Sequence, residues 1–155
     1  MIKIFKKGFT LIELLIVITI IGILTAVVTT NLSGARSRAR DTRRKSDLRG
    51  VEQALRLYYN DNKRFPANDG DNISGAAWGE PFNIGSTVYM SSLPLDPSGN
   101  GLTYKYVGIS DDSYLLVTSL ENLSDPDITE SQDRCITALG SYAETVETDY
   151  VVCVQ

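Results

Sequence analysis

The first long block of the chain is uniformly apolar. From Phe9 to Val28 the one ionisable side chain is Glu13. Twenty helical residues span about 30 Å, close to the hydrocarbon thickness of a bilayer. Many of them are β-branched and would favour a strand in water. A lone strand in lipid leaves its backbone groups unpaired, so the pattern predicts a membrane helix instead. The pattern then changes. Leu48, Val51, Leu55 and Tyr58 recur at i, i+3, i+7 and i+10, with Ala54 beside them, the period of a helix with one buried face. Asn60-Asp61-Asn62 and then Pro66 end the run, so one helix is expected from Phe9 to Tyr59.

Downstream, residues 68–86 are rich in Gly, Asn, Asp and Ser and read as a loop. A turn of helix is expected near Ala76-Ala77-Trp78, with Trp78 and Phe82 pinning the loop to the core. Thr103-Tyr104-Lys105-Tyr106-Val107 alternates, and Ser113-Tyr114-Leu115-Leu116-Val117-Thr118 is apolar and β-prone. Residues 108–112 between them read as the turn of a hairpin. Tyr150-Val151-Val152-Cys153-Val154 is a third strand. The expected fold class is α+β: a long N-terminal helix, half membrane and half amphipathic, packed on a small antiparallel sheet.

Charge refines this picture. Lys3, Lys6 and Lys7 precede the apolar run. Residues 36–49 carry seven basic side chains against Asp41 and Asp47. Residues 50–155 hold five basic and sixteen acidic side chains, a net charge of −11. An acidic body argues against nucleic acid as its partner, because phosphate repels it. The basic run has several readings: a solvated helix face, contact with anionic lipid head groups, or ion pairing with the acidic bodies of other copies.

The chain has no histidine, which removes the commonest general base and zinc ligand. It has no Gly-x-Ser-x-Gly elbow and no phosphate-binding loop, so nothing recommends an enzyme. Cys135 and Cys153 can form one disulfide in an oxidising compartment, closing a loop of nineteen residues.

An acid inside a spanning helix is costly, so Glu13 is a functional candidate. The plainer readings of this region are a secretory signal peptide or a signal anchor tethering some other extracytoplasmic domain. The apolar run is long for a signal peptide, and no clean small-x-small cleavage site follows it.

Gly8 followed by Phe9-Thr10-Leu11-Ile12-Glu13 and an apolar helix resembles the type III signal of prepilins, the precursors of type IV pilins and type II secretion pseudopilins. The resemblance implies a leader at 1–8, a transmembrane or filament-core helix at 9–30, an amphipathic helix at 31–62 and a β-rich head at 63–155. It implies cutting between Gly8 and Phe9 by a prepilin peptidase, which then methylates Phe9. It further implies that Glu13 pairs with the freed Phe9 amine of a neighbouring copy in a helical filament. In low dielectric such a pair attracts strongly and offsets the desolvation of both charges.

Asp47-Leu48-Arg49, Tyr58-Tyr59, Asn62-Lys63-Arg64-Phe65-Pro66 and Leu93-Pro94-Leu95-Asp96-Pro97 resemble the major pseudopilins of type II secretion. Many members carry a proline about twenty residues into the mature helix, where this chain has Thr30; Gly22 and Gly34 are its interior weak points. Calcium binding after the hairpin, implied by the resemblance, makes Glu121, Asn122, Asp125 and Asp127 candidate ligands. A solvated acidic loop is the competing reading. The Cys135–Cys153 loop, by contrast, is more pilin-like. Expected partners are prepilin peptidase, further copies of the chain, minor pilins or pseudopilins, an inner-membrane assembly platform and the membrane itself. Nucleic acid enters at most indirectly, through DNA uptake. The expected topology is single-pass in the inner membrane before assembly, N-terminus cytoplasmic and head periplasmic or extracellular. Pilus and secretion pseudopilus remain alternatives at this point.

Overall fold

A computed structural model describes residues 8–99, 104–136, 140 and 148–154, with the side chains of 27–31 outside the description. The chain divides into two compact units, Met1–Arg36 and Ser37–Gln155. A helix, α1, runs Leu11–Asn62, three residues beyond its expected end. Lys63 closes it in the left-handed conformation, φ 55°, and its N–H donates to the Tyr59 carbonyl at 2.8 Å.

From Leu11 to Ala26 the side chains of α1 are mostly apolar and exposed, Leu11, Ile16 and Ile21 among them. Among the described residues no helix is long and apolar enough to cross a membrane. The expected span at 9–30 includes 27–30, so its last part lies outside the described side chains.

In the second unit the predicted stripe is the core. Leu48, Val51 and Leu55 are fully buried, with Ala54 and Tyr58 beside them. They pack against a three-stranded antiparallel sheet of β5 (Lys105–Ser110), β6 (Ser113–Ser119) and β7 (Asp149–Val154), with β6 in the centre. The predicted hairpin is present, but β5 continues to Ser110 and the turn shrinks to Asp111 and Asp112. Strand β6 is buried on both faces, which explains its unbroken apolar run. Tyr114 and Leu116 join the helix core, while Leu115 and Val117 pack with Cys135 and Val151.

The stretch 68–86 is more ordered than a loop and holds no helical turn near 76–78. It contains a hairpin of β1 (Asn68–Asp69) and β2 (Asn72–Ile73) and the first strand of another, β3 (Phe82–Ile84) with β4 (Thr87–Met90). Phe82 is fully buried as expected; Trp78 is half-buried against Tyr104.

A second helix, α2, spans Pro126–Arg134, where the sequence suggested an acidic loop. Asp125 caps it, accepting from the Asp127 N–H at 3.0 Å, and Pro126 opens the first turn. This helix covers the edge of β7. Gln132 Nε2 donates to the Asp149 carbonyl at 2.8 Å, and the Val151 N–H donates to Ser131 Oγ at 3.2 Å. Edge groups so bound are withdrawn from pairing with another strand.

Candidate functional site

The processing segment begins with Gly8 and Phe9, both exposed. Thr10 precedes the first helical residue and caps α1 reciprocally with Glu13. The Thr10 N–H donates to Glu13 Oε2 at 2.8 Å and its hydroxyl donates to the same oxygen at 2.7 Å. In return the Glu13 N–H donates to Thr10 Oγ1 at 3.3 Å. This is a capping box, and it puts a carboxylate at the positive end of the helix dipole. The motif Thr-x-x-Glu was legible in the sequence, where only the charge of Glu13 drew notice.

The apolar helix that follows satisfies its own polar groups. The hydroxyls of Thr19 and Thr25 donate to the carbonyls of Leu15 and Ile21, each at 2.7 Å. A helix apolar all round has no use for water as a neighbour; its fitting surroundings are lipid or other apolar helices.

In the head, part of the basic run is not a solvated face. Arg44 is fully buried. Its Nη1 lies 2.7 Å from Asp41 and 2.9 Å from Glu121, and its Nε lies 2.6 Å from Asp96. Asp41 also accepts the backbone N–H groups of Glu121 and Asn122, each at 2.9 Å. Arg40 binds Glu121 through both Nε and Nη2. Burial alone would raise Asp96, but Arg44 and Ser98 hold it at about 2. The Arg40 and Arg44 guanidinium groups hold Glu121 at about 2 despite some burial. Arg44 is raised, the Asp96 bond outweighing desolvation.

The calcium candidates are committed elsewhere. Lys45 Nζ lies 2.7 Å from Asp125 and 2.8 Å from Asp127, over the Tyr150 ring. Glu121 serves the two arginines, and Asn122 contributes its N–H to Asp41. Among the described residues no three metal-ligating side chains converge. In this structure an ammonium and two guanidinium groups face the carboxylates of Glu121, Asp125 and Asp127. Cys135 and Cys153 are joined in a disulfide, which ties the C-terminal end of α2 to β7.

The chain matches two family models in sequence. Residues 5–29 match the prokaryotic N-terminal methylation motif. Residues 31–122 match type II secretion system protein G, more than half of the chain. It belongs to the type II secretion protein G family. Similar proteins bear this out. The type II secretion system core protein G of Aeromonas hydrophila is 38% identical over 99 residues, covering 61% of this chain and 69% of that protein. Its namesake in Vibrio cholerae is 34% identical over 118 residues, 74% and 80% of the two chains. The type IV wide pilus major component PilA4 of Thermus thermophilus is 42% identical over 86 residues, 56% and 66%. No solved structure matches.

Protein G is a structural family, and this member is a filament subunit rather than an enzyme. Its methylation motif marks it for prepilin processing. Sequence reasoning reached that motif from Gly8, Phe9 and Glu13 but missed the buried role of Arg44. A fully desolvated arginine inside a basic run leaves no trace in hydrophobic periodicity. Asp41 and Asp47, the two acids within that run, were the available hint.

Proposed function

We propose that this chain is the major subunit of a type II secretion pseudopilus, held in the inner membrane by its N-terminal helix until it polymerises. Prepilin peptidase cuts between Gly8 and Phe9, both exposed, and methylates the new Phe9 amine. Glu13 then pairs with that amine on the adjacent copy, so assembly neutralises an acid that a lone subunit must carry among apolar side chains. Lys3, Lys6 and Lys7 hold the leader on the cytoplasmic side, and the disulfide fits a head in an oxidising exterior. Minor pseudopilins and an inner-membrane platform complete the partner set. The observation that carries the reading is the coincidence of the methylation motif with an all-round apolar helix leading into the protein G region.

A surface pilus is the second reading. The disulfide at the end of the head and the likeness to a pilus component of Thermus favour it. Mass spectrometry of the membrane-extracted protein tests the processing. Loss of residues 1–8 with a methylated Phe9 supports it; an intact Met1, or cutting near Ala35, rejects it. Deleting this chain separates the two filaments: loss of a pseudopilus subunit leaves secretion substrates in the periplasm, whereas loss of surface fibres with secretion unchanged indicates a pilus.

A further inference from the structure

The seam between α1 and β7 changes sign along its length. At one end a cavity of about 410 Å³ lies between Arg49, Glu52 and Arg56 of α1, Arg134 of α2, and Tyr150 to Cys153 of β7. Three guanidinium groups face one carboxylate there, and Glu52 is already paired with Arg56 at 2.7 Å. Arg49, Arg56 and Arg134 are all exposed. Among the described residues neither Arg49 nor Arg134 has a carboxylate within ion-pair distance. The disulfide fixes the wall that carries Arg134, because Cys135 follows it directly.

At the other end of the same seam a cavity of about 570 Å³ is bounded by Arg56, Tyr59, Asn60, Phe65, Asp112 and Val154. The β5–β6 turn stands beside it, with Asp111 and Asp112 both exposed. Asp112 accepts from the hydroxyl of Tyr59 at 2.6 Å, and among the described residues no cation lies within ion-pair distance of it. Arg49 and Asn60 are eleven residues apart on one helix, so base and acid are offset by roughly 16 Å along it.

We propose that the cationic end of this seam receives the acidic turn, Asp111 and Asp112, of a second copy of the chain. This rests on the filament reading and names one of its head-to-head contacts. Two complementary patches at different places on one molecule make a heterologous interface, which propagates as an open filament when rotation does not close it. Residues 50–155 carry a net charge of −11 and would otherwise repel the same region of other copies, so packing needs a place where acid meets base. The same negative charge disfavours anionic lipid and nucleic acid at this site.

The test uses the full chain with its assembly machinery. A photoreactive residue at position 49 should cross-link two copies, with the linked peptide containing residues 111 and 112. Self-cross-links that avoid that turn, cross-links confined to lipid, nucleic acid or another protein, or none from normal filaments, overturn the proposal. Independently, Arg49→Glu with Arg134→Glu should cut filament yield on the order of tenfold. Adding Asp111→Lys and Asp112→Lys should restore it, and Arg49→Lys with Arg134→Lys should leave it near normal. An unchanged melting temperature of each variant excludes misfolding as the cause. If wild type polymerises and the Glu variant does so equally, or the charge swap restores nothing, this contact is wrong while the filament reading stands. If wild type makes no filament under any condition, both fall.

Discussion

Arg44 Nε lies 2.6 Å from Asp96 Oδ2, across fifty-two residues of sequence, and neither side chain reaches solvent appreciably. With Asp41 on the preceding turn of α1, the pair joins helix, Leu93–Pro97 region and the segment after β6 at one buried point. Removing one partner of a buried ion pair is costlier than replacing the whole set, because a desolvated charge is left alone. Arg44→Leu should therefore lower stability by about 3–5 kcal/mol. Arg44→Leu with Asp41→Asn and Asp96→Asn should lose less. Urea unfolding of the detergent-solubilised chain, followed through Trp78 fluorescence, measures both. Equal losses would show that the carboxylates are not stranded.

The same network predicts the response to acid. Asp96 and Glu121 are held at about 2 in the folded chain, below ordinary values of 3.8 and 4.5. Unfolding lets both take up protons at a higher pH than the native state does. Their contribution is complete above the unfolded values and declines as pH falls from about 5 toward 2. The melting temperature should drop steadily through that window. Arg44→Leu should flatten the drop, since Asp96 then loses its principal cation. A wild-type profile flat to pH 2.5 contradicts the assignment.

Reducing the disulfide should loosen one end of the head before the rest. Cys135 and Cys153 close a loop of nineteen residues, worth roughly 3 kcal/mol in the chain-entropy account. The bond also holds α2 against the edge of β7, where Gln132 and Ser131 satisfy its backbone. Cys135→Ser with Cys153→Ser should give faster amide exchange in residues 148–154 than in β5 or the core of α1. Uniform acceleration across the head would show that α2 does not protect that edge separately.

The parts that read well from sequence are those where burial follows a period. Leu48, Val51, Leu55 and Tyr58 announced the packed face of α1, and the alternation around Tyr104 and Tyr106 announced a strand. Helix α2 escaped because its nine residues are mostly polar and bury Ile128 and Ser131. Asp125 before Pro126 was a start signal, outweighed by the acids around it. The partners of the acidic stretch after β6 were hidden for a related reason. A row of carboxylates states a need for positive charge, and sequence order does not say that Lys45, eighty residues earlier, supplies it.

Glu13 has two separable tasks, and one substitution tells them apart. Its carboxylate oxygen receives both the Thr10 N–H and the Thr10 hydroxyl, so it closes the start of its own helix. Its charge is what the proposed contact with a neighbour's amine requires. Glutamine keeps an acceptor oxygen and loses the charge; alanine loses both. Glu13→Ala should fray the first turn, because the Thr10 N–H and hydroxyl lose their shared acceptor. Glu13→Gln should keep that turn intact, be cut and methylated at Phe9, and still polymerise poorly, as should Glu13→Ala. Thr10→Val, which removes the hydroxyl but leaves the acid, should fray slightly and assemble far better than either. Processing is read by mass spectrometry and assembly by the filament fraction sheared from cells. Filament yield from Glu13→Gln equal to wild type would reduce the residue to a helix cap and remove charge pairing from the assembly step.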